Sequence, residues 1–211
     1  MNYLEKKKEN PHSGSYWSYF NVVNQKRQEA LSKHADRYKS QRTWSSNAYQ
    51  KGCLFLTQLG YIMGQDNLDK TVKKYYQDFK FKHPTPNDIM RTAEKVSGMQ
   101  LDWFLNEWTQ TNHTIDYGIK SVSGKKITLE RIGKMPMPMD VEVIYVDGTK
   151  EHFNIPLEMM RGNKPTTATI LKDWGWAYPT YSFNVSKKVK SVTIDKSGLM
   201  ADVYPENNTF E

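Results

Sequence analysis

The stretch that decides the fold is residues 46–64, SNAYQKGCLFLTQLGYIMG. Ser46 and Asn47 are residue types that cap a helix, because their side chains accept hydrogen bonds from the free N–H groups of its first turn. Gly64 is well placed to end the helix, since glycine takes the left-handed conformation at little cost. Between them the apolar residues recur at helical spacing, at Phe55, Leu56, Leu59, Ile62 and Met63. The stretch therefore predicts a helix surrounded by protein.

The composition favours a folded protein with one large domain or two small ones. The chain has 211 residues, of which 37% are hydrophobic and 25% charged. No apolar run approaches the length of a membrane-spanning helix, so no membrane span is predicted. The net charge is +7, but the lysines are scattered in pairs and no nucleic-acid-binding motif accompanies them. A lysine-rich solvated surface without a nucleic-acid partner is the interpretation that follows.

Helical patterns extend on both sides of this stretch. Upstream, residues 15–39 predict a helical region with an apolar stripe that includes Trp17, Phe20 and Val23. Downstream, Asp66 is a candidate cap, and the sequence Thr85-Pro86 is typical of a helix start because proline fits the first turn. A further short helix is expected over residues 101–108.

The hydrophobic period changes from helical to alternating after about Thr114. Alternating apolar residues predict half-buried strands, and Asp147-Gly148 predicts a hairpin turn between residues 141–146 and 152–155. The predicted fold class is α+β. A helical segment over residues 1–114 precedes a β-sandwich-like domain over residues 115–211.

Few local patterns indicate a reaction. The five histidines are not paired at a helical spacing, no His-Glu-x-x-His occurs, and no metal ligands are predicted in this chain. Cys53, the single cysteine, is interpreted as a small core residue. Trp174, Trp176 and Tyr178 alternate, as they would on one face of a strand; we favour packing over sugar or peptide binding for this row. Tyr49, at the start of the buried helix, remains as the one catalytic candidate.

Several motifs, in this order, resemble the gluzincin metallo-aminopeptidases, the family of aminopeptidase N. Those enzymes carry Tyr-x-Lys-Gly at the start of a helix, which matches Tyr49, Lys51 and Gly52 here. The other matching segments are FKFKHPT at 79–85, VSG at 96–98, LDWF at 101–104 with Trp108, MPMDV at 137–141 and PENN at 205–208. The resemblance covers most of the chain from about Asp36 onward.

The chain departs from the family pattern at the zinc site. The family's zinc ligands come from His-Glu-x-x-His and a later glutamate, which lie upstream of the tyrosine, and only about fifty residues precede Tyr49 here. The resemblance therefore implies the end of a catalytic domain plus the β domain. Zinc and the N-terminal catalytic part would belong to a full-length parent, for which a periplasmic or extracellular location is favoured.

The resemblance also implies a role for each residue of the motif. In the family, zinc activates a water that attacks a peptide carbonyl, and the tyrosine hydroxyl donates a hydrogen bond to the oxyanion that develops. Tyr49 occupies that position. Lys51 is expected to carry its charge to solvent, and Gly52 to allow a close helix approach.

Two hypotheses for the function follow. The first is a fragment of a zinc-dependent aminopeptidase-like enzyme, with peptide substrates in the intact parent and no activity alone. The alternative is a non-catalytic module that binds a peptide or a glycan through the basic, aromatic-rich β half. Whether the chain alone is an enzyme stays open at this point.

Overall fold

The computed structural model describes residues 10–211 and confirms the α+β class, with helices followed by β-sheets. By its internal contacts the chain divides into two compact units. A helical unit contains the described residues through Val96 together with Leu101–His113, and a β unit contains Ser97–Gln100 and Thr114–Glu211. The domain boundaries predicted from the sequence, residues 1–114 and 115–211, stay a prediction.

The helical unit consists of α-helices joined by short connections. In chain order they are α1 (Ser13–Asn24), α2 (Gln41–Ser45), α3 (Gly52–Met63), α4 (Gln65–Phe79), α5 (Pro86–Ser97) and α6 (Asp102–Gln110). A π-helical segment, Ser46–Lys51, connects α2 directly to α3, and a 3₁₀ turn, Ala35–Arg37, precedes α2. Residues 41–63 are therefore helical throughout, and the helix begins earlier than the sequence predicted.

Helix α3 forms the centre of this unit. The side chains of Leu54, Leu59, Ile62 and Met63 are fully buried, and removing apolar surface from water on this scale drives the packing of the unit. The ring of Phe55 stacks on Phe104 of α6, with ring centres 5.1 Å apart. The prediction that residues 46–64 contain a helix surrounded by protein is confirmed.

The buried face of α1 differs from the predicted stripe. Tyr16 and Tyr19 are buried, whereas 72% of Trp17 is exposed. The ring of Tyr19 stacks on Trp108, at 6.0 Å between centres. Tyr16 and Tyr19 are at helical spacing, and so are the residues of the predicted stripe. The sequence pattern therefore did not distinguish which of the two faces the core.

Local chemistry fixes several helix ends. Gly64 has φ = 87° and ends α3, as predicted. The side chain of Asp88 accepts hydrogen bonds from the backbone N–H and the hydroxyl of Thr85, at 2.7 and 2.8 Å, across the start of α5. Gly98, with φ = 74°, follows the end of α5. Asp66 is not a cap, because α4 begins at Gln65 and Gly64 occupies the capping position.

The β unit contains eight strands in two sheets. The strands are β1 (Tyr117–Ser123), β2 (Lys126–Arg131), β3 (Met139–Tyr145), β4 (Lys150–Ile155), β5 (Thr169–Ile170), β6 (Thr180–Asn184), β7 (Val189–Ile194) and β8 (Thr209–Phe210). One sheet has the order β1-β2-β6 and the other β5-β4-β3-β7-β8. All pairs are antiparallel except β4 with β5. The Asp147-Gly148 turn joins β3 to β4, as predicted, and Gly148 has φ = 81°.

Apolar residues from both sheets form the core of the β unit. Ile127 and Leu129 of one sheet and Val143 and Ile155 of the other are fully buried. Phe153 and Phe183 join the two sheets, with ring centres 5.4 Å apart. Two contacting sheets are compatible with the sandwich-like interpretation. Among residues 10–211, none of the helices combines the length and apolar character needed to cross a bilayer.

The aromatic row Trp174, Trp176 and Tyr178 does not lie on a strand, so that prediction is wrong. The segment is a loop that meets the sheets through an isolated bridge between Leu157 and Trp174 and through hydrogen bonds from Arg131 to the carbonyls of Trp176 and Pro179. Trp174 is buried, while 40% of Trp176 and 67% of Tyr178 are exposed. The aromatic residues alternate in the sequence, but the backbone here forms a turn, in which the N–H of Tyr178 donates to the carbonyl of Gly175.

Candidate functional site

The site predicted from the sequence lies on the π-helical segment between α2 and α3. A π-helical turn inserts extra backbone into a helix, and such turns occur frequently at functional sites. Ser46 and Asn47 belong to this segment and are not helix caps, so that prediction is wrong. The cap is Ser40, whose hydroxyl accepts a hydrogen bond from the N–H of Thr43 at 3.2 Å.

Two side chains of the segment point into the protein. Asn47 and Lys51 are each 2% exposed. Both donate to the backbone carbonyl of Glu29, Asn47 at 3.2 Å and Lys51 at 3.3 Å. The ammonium of Lys51 also lies 3.4 Å from the carbonyl oxygen of Thr111. These contacts hold the segment against two other parts of the helical unit.

The ammonium of Lys51 therefore does not reach solvent, and the expectation that this side chain places its charge in solvent is wrong. Burial disfavours the charged ammonium and lowers the pKa of Lys51 from 10.5 to about 8. The nearby carboxylate of Glu29 does not pair with it, because that carboxylate bonds to the side chain of Lys33 and the N–H of Lys39. The acceptors beside the ammonium are the backbone carbonyls of Glu29 and Thr111, which accept hydrogen bonds from it without neutralising its charge.

Tyr49 points the other way and is 65% exposed. Its ring makes an edge-to-face contact with Trp44, at 6.3 Å between centres. The segment thus buries the side chains of Asn47 and Lys51, whereas the phenol of Tyr49, which lies between them in the sequence, faces outward. This phenol is accessible in the described part of the chain, which is what a group that contacts a substrate needs.

Gly52 and Cys53 differ from their predicted roles. A Cβ added at Gly52 would meet only the carbonyl oxygen of Asn47, at an ordinary contact distance of 3.8 Å, so no close helix approach requires glycine there. Cys53 is half-buried rather than a core residue. Its sulfur lies 3.3 Å from Nδ1 of His12.

A small cavity of about 240 Å³ flanks the same segment. It is lined on one side by α1, including Trp17, and on the other by residues that include Arg42, Ser46 and Gln50. Tyr49 is not among its lining residues. The hydroxyl of Ser15 donates to the side-chain oxygen of Gln50 at 2.8 Å, which joins α1 to the π-helical segment.

The described residues do not fit a catalytic metal. Within residues 10–211, no group of three or more His, Cys, Asp or Glu side chains is placed to hold a metal ion. Three histidines each have a single carboxylate nearby: His113 lies 2.6 Å from Glu107, His34 3.5 Å from Asp36 and His152 3.9 Å from Glu142. A pair of this kind provides fewer protein ligands than catalytic zinc sites use.

Three residues that build the site were missed by local sequence reasoning. Glu29 and Thr111 contribute backbone carbonyls, and Trp108 donates its indole N–H to the carbonyl of Lys51 at 3.1 Å. Backbone acceptors leave no pattern in the sequence. Trp108 was noticed in the sequence, but not for this contact.

Comparison with known proteins agrees with the resemblance found in the sequence. Residues 9–108 match the model of the peptidase family M1 domain. The probable aminopeptidase 2 of Sulfurisphaera tokodaii is 24% identical over 162 residues, which cover 74% of this chain and 18% of that protein. The leucyl aminopeptidase of Saccharolobus solfataricus is 23% identical over 210 residues, which cover 93% of this chain and 25% of that protein.

A crystal structure of Legionella pneumophila aminopeptidase A in complex with aspartic acid is also similar, with a TM-score of 0.48 and 11% identity. The match covers 83% of this chain and 19% of that one. The chain thus spans between 18% and 25% of the length of the two curated relatives. The family match over residues 9–108 and these two relatives support a member of the M1-like aminopeptidase family.

Proposed function

We propose that this chain is the C-terminal part of a zinc-dependent aminopeptidase-like metallopeptidase that acts on peptides. Its contribution to the reaction is the hydroxyl of Tyr49, which donates a hydrogen bond to the oxyanion that develops on the scissile carbonyl. The observation that carries this proposal is the exposure of Tyr49 on a π-helical turn whose neighbours, Asn47 and Lys51, are buried and bonded.

The chemistry of a phenol suits this role. A tyrosine hydroxyl stays protonated at neutral pH and has one hydrogen to donate. A donor that is held in place before the reaction stabilises developing charge without reorganising. The bonds of Asn47 and Lys51 to the Glu29 carbonyl supply that rigidity, because they fix the backbone on both sides of Tyr49.

The zinc ligands belong, on this proposal, to another segment of the parent. The donor set within residues 10–211 does not fit zinc, and the matched regions make up only 18% and 25% of the two curated relatives. The isolated chain is then inactive, and the segment with the zinc ligands is its structural partner.

The experiment compares the chain alone with the chain plus the polypeptide encoded directly upstream in the same reading frame. Both samples are loaded with zinc and assayed with an aminoacyl p-nitroanilide. We expect hydrolysis only from the combined sample, and its loss on adding a chelator. Chelator-sensitive hydrolysis by the isolated chain would overturn the proposed inactivity.

The upstream reading frame also tests the alternative. An in-frame His-Glu-x-x-His there supports the metallopeptidase. A start codon at Met1 with no such motif upstream supports the non-catalytic peptide- or glycan-binding module instead.

A further inference from the structure

The β unit carries a cavity that the proposed peptidase role does not use. Its volume is about 680 Å³, and it is lined by Glu158 at the start of a 3₁₀ turn, by residues of the loop 172–178 and by the start of β6. This volume lies within the range of about 300–1,000 Å³ that is typical of small-molecule sites. Its lining includes Glu158, Lys172, Asp173, Trp174, Tyr178 and Tyr181.

The wall of the cavity is fixed by hydrogen bonds and ring packing. The indole N–H of Trp174 donates to the carbonyl of Tyr178 at 2.8 Å, and the hydroxyl of Tyr181 donates to the carbonyl of Lys172 at 2.6 Å. The Trp174 ring packs between Tyr117 and Tyr181, at 5.5 and 5.3 Å between centres. A wall that is ordered in advance lowers the entropy lost when a ligand binds.

Aromatic surface is exposed at this cavity. Tyr178, which lines it, is 67% exposed, and Trp176, two residues earlier in the same loop, is 40% exposed. The Trp176 ring is held by Arg131, whose guanidinium lies 5.6 Å from the ring centre and donates to the Trp176 carbonyl at 2.8 Å. Rigid rings on a fixed loop offer flat apolar faces to a ligand.

Two carboxylates line the same cavity with their hydrogen-bonding capacity free. Within residues 10–211, neither Glu158 nor Asp173 forms a side-chain hydrogen bond or an ion pair with another residue. Gly175 lets one of them approach the aromatic wall. A Cβ at this position would lie 3.1 Å from Oε2 of Glu158 and 3.2 Å from Cδ2 of Tyr178, which is tighter than an ordinary contact.

The lining combines carboxylates, a lysine ammonium and aromatic rings, and this combination favours one class of ligand over others. The carboxylates accept hydrogen bonds, while the ammonium of Lys172 donates them. Sugar hydroxyl groups both donate and accept, and the C–H faces of a sugar ring stack on aromatic rings. A cationic ligand would use only the carboxylates, would meet the charge of Lys172, and would approach a chain with a net charge of +7. We propose that this cavity binds a neutral carbohydrate, a short oligosaccharide.

The test is a titration of the full chain with three neutral hexasaccharides, made of glucose, N-acetylglucosamine or mannose. Binding is followed by tryptophan fluorescence and by calorimetry, with hexalysine as the cationic probe. We expect saturable binding of at least one hexasaccharide and none of hexalysine. Tyr178→Ala should weaken the binding about tenfold, and Glu158→Gln and Gly175→Ala should also weaken it.

The matched control is Tyr204→Ala, since Tyr204 belongs to the same unit, is 59% exposed and lies outside this cavity. The affinity of this variant for the hexasaccharide should equal that of the unchanged chain. Circular dichroism should show that all variants are folded. Three results overturn the proposal: no saturable hexasaccharide binding, equal losses for Tyr178→Ala and Tyr204→Ala, or Glu158-dependent binding of hexalysine alone. Each is independent of the role of Tyr49, which belongs to the other unit.

Discussion

The indole N–H of Trp108 donates a hydrogen bond to the backbone carbonyl of Lys51 at 3.1 Å, and the ammonium of Lys51 lies 5.9 Å from the centre of the Trp108 ring. Trp108 is fully buried on α6. A helix far along the chain thus contacts both the backbone and the side chain of a residue two positions from Tyr49. The π-helical segment is held by this contact and by the bonds to Glu29.

Replacing Trp108 by phenylalanine should destabilise the helical unit by about 1–3 kcal/mol. The change removes the indole N–H that donates to the Lys51 carbonyl and puts a smaller ring into a fully buried site, and the loss of a buried hydrogen bond together with buried apolar volume carries a cost of that order. Urea unfolding followed by circular dichroism measures the difference. Trp17→Phe is the control, because Trp17 is 72% exposed, and it should change the free energy of unfolding by less than about 0.5 kcal/mol. Similar values for the two variants would contradict the account.

The lowered pKa of Lys51 predicts that the helical unit becomes more stable as the pH rises from 8 to 10. The folded chain gives up the Lys51 proton near pH 8, whereas the unfolded chain keeps it until about 10.5. Because the unfolded state binds more protons in this window, the free energy of unfolding rises with pH, by at most about 1.4 kcal/mol per pH unit. Urea unfolding at intervals of half a pH unit measures the slope.

The window closes near pH 10, because a second group then acts in the opposite direction. Burial raises the pKa of Tyr19 above its ordinary value of 10. The folded chain therefore keeps this proton after the unfolded chain has lost it, and stability falls above pH 10. Lys51→Met removes the lysine and should flatten the profile between pH 8 and pH 10. An unchanged slope in this variant would assign the pH dependence to other groups.

Ser40→Ala should cost about 1 kcal/mol of stability, since Ser40 is the residue whose hydroxyl accepts from the N–H of Thr43. Ser46→Ala is the matched control, because Ser46 lies inside the continuous helix and its hydroxyl makes only a 3.5 Å contact with Ser18. Thermal unfolding of both variants compares them directly. A larger loss for Ser46→Ala would mean that the helix begins where the sequence first suggested.

Strong local chemistry made part of the fold predictable from the sequence. Gly64 ends α3, Pro86 begins α5 and Asp147-Gly148 turns the β3–β4 hairpin, because glycine permits the positive φ that a helix end or a tight turn needs and proline fixes its own φ at a helical value. The change from helical to alternating period after Thr114 also predicted that strands follow the helices, and β1 begins at Tyr117.

The remaining features depended on contacts distant in sequence. Ser40 and Ser46 are both acceptable cap residues, and only the packed structure selects Ser40. Lys51 was expected in solvent because lysine usually is, but carbonyls 22 and 60 residues away accept its hydrogen bonds. The row of Trp174, Trp176 and Tyr178 alternates in sequence, yet a turn at Gly175 gives each side chain a different exposure.

The central claim is that the Tyr49 hydroxyl stabilises an oxyanion, and Tyr49→Phe in the zinc-loaded combined sample tests it most directly. This variant removes one oxygen from a side chain that is 65% exposed, so the fold should be unaffected. Tyr76→Phe is the matched control, since Tyr76 is 68% exposed in the same unit. We predict that Tyr49→Phe lowers kcat by about 10²–10³ with little change in KM, while Tyr76→Phe changes neither. A kcat for Tyr49→Phe equal to that of Tyr76→Phe, or a rise in KM alone, would contradict the claim.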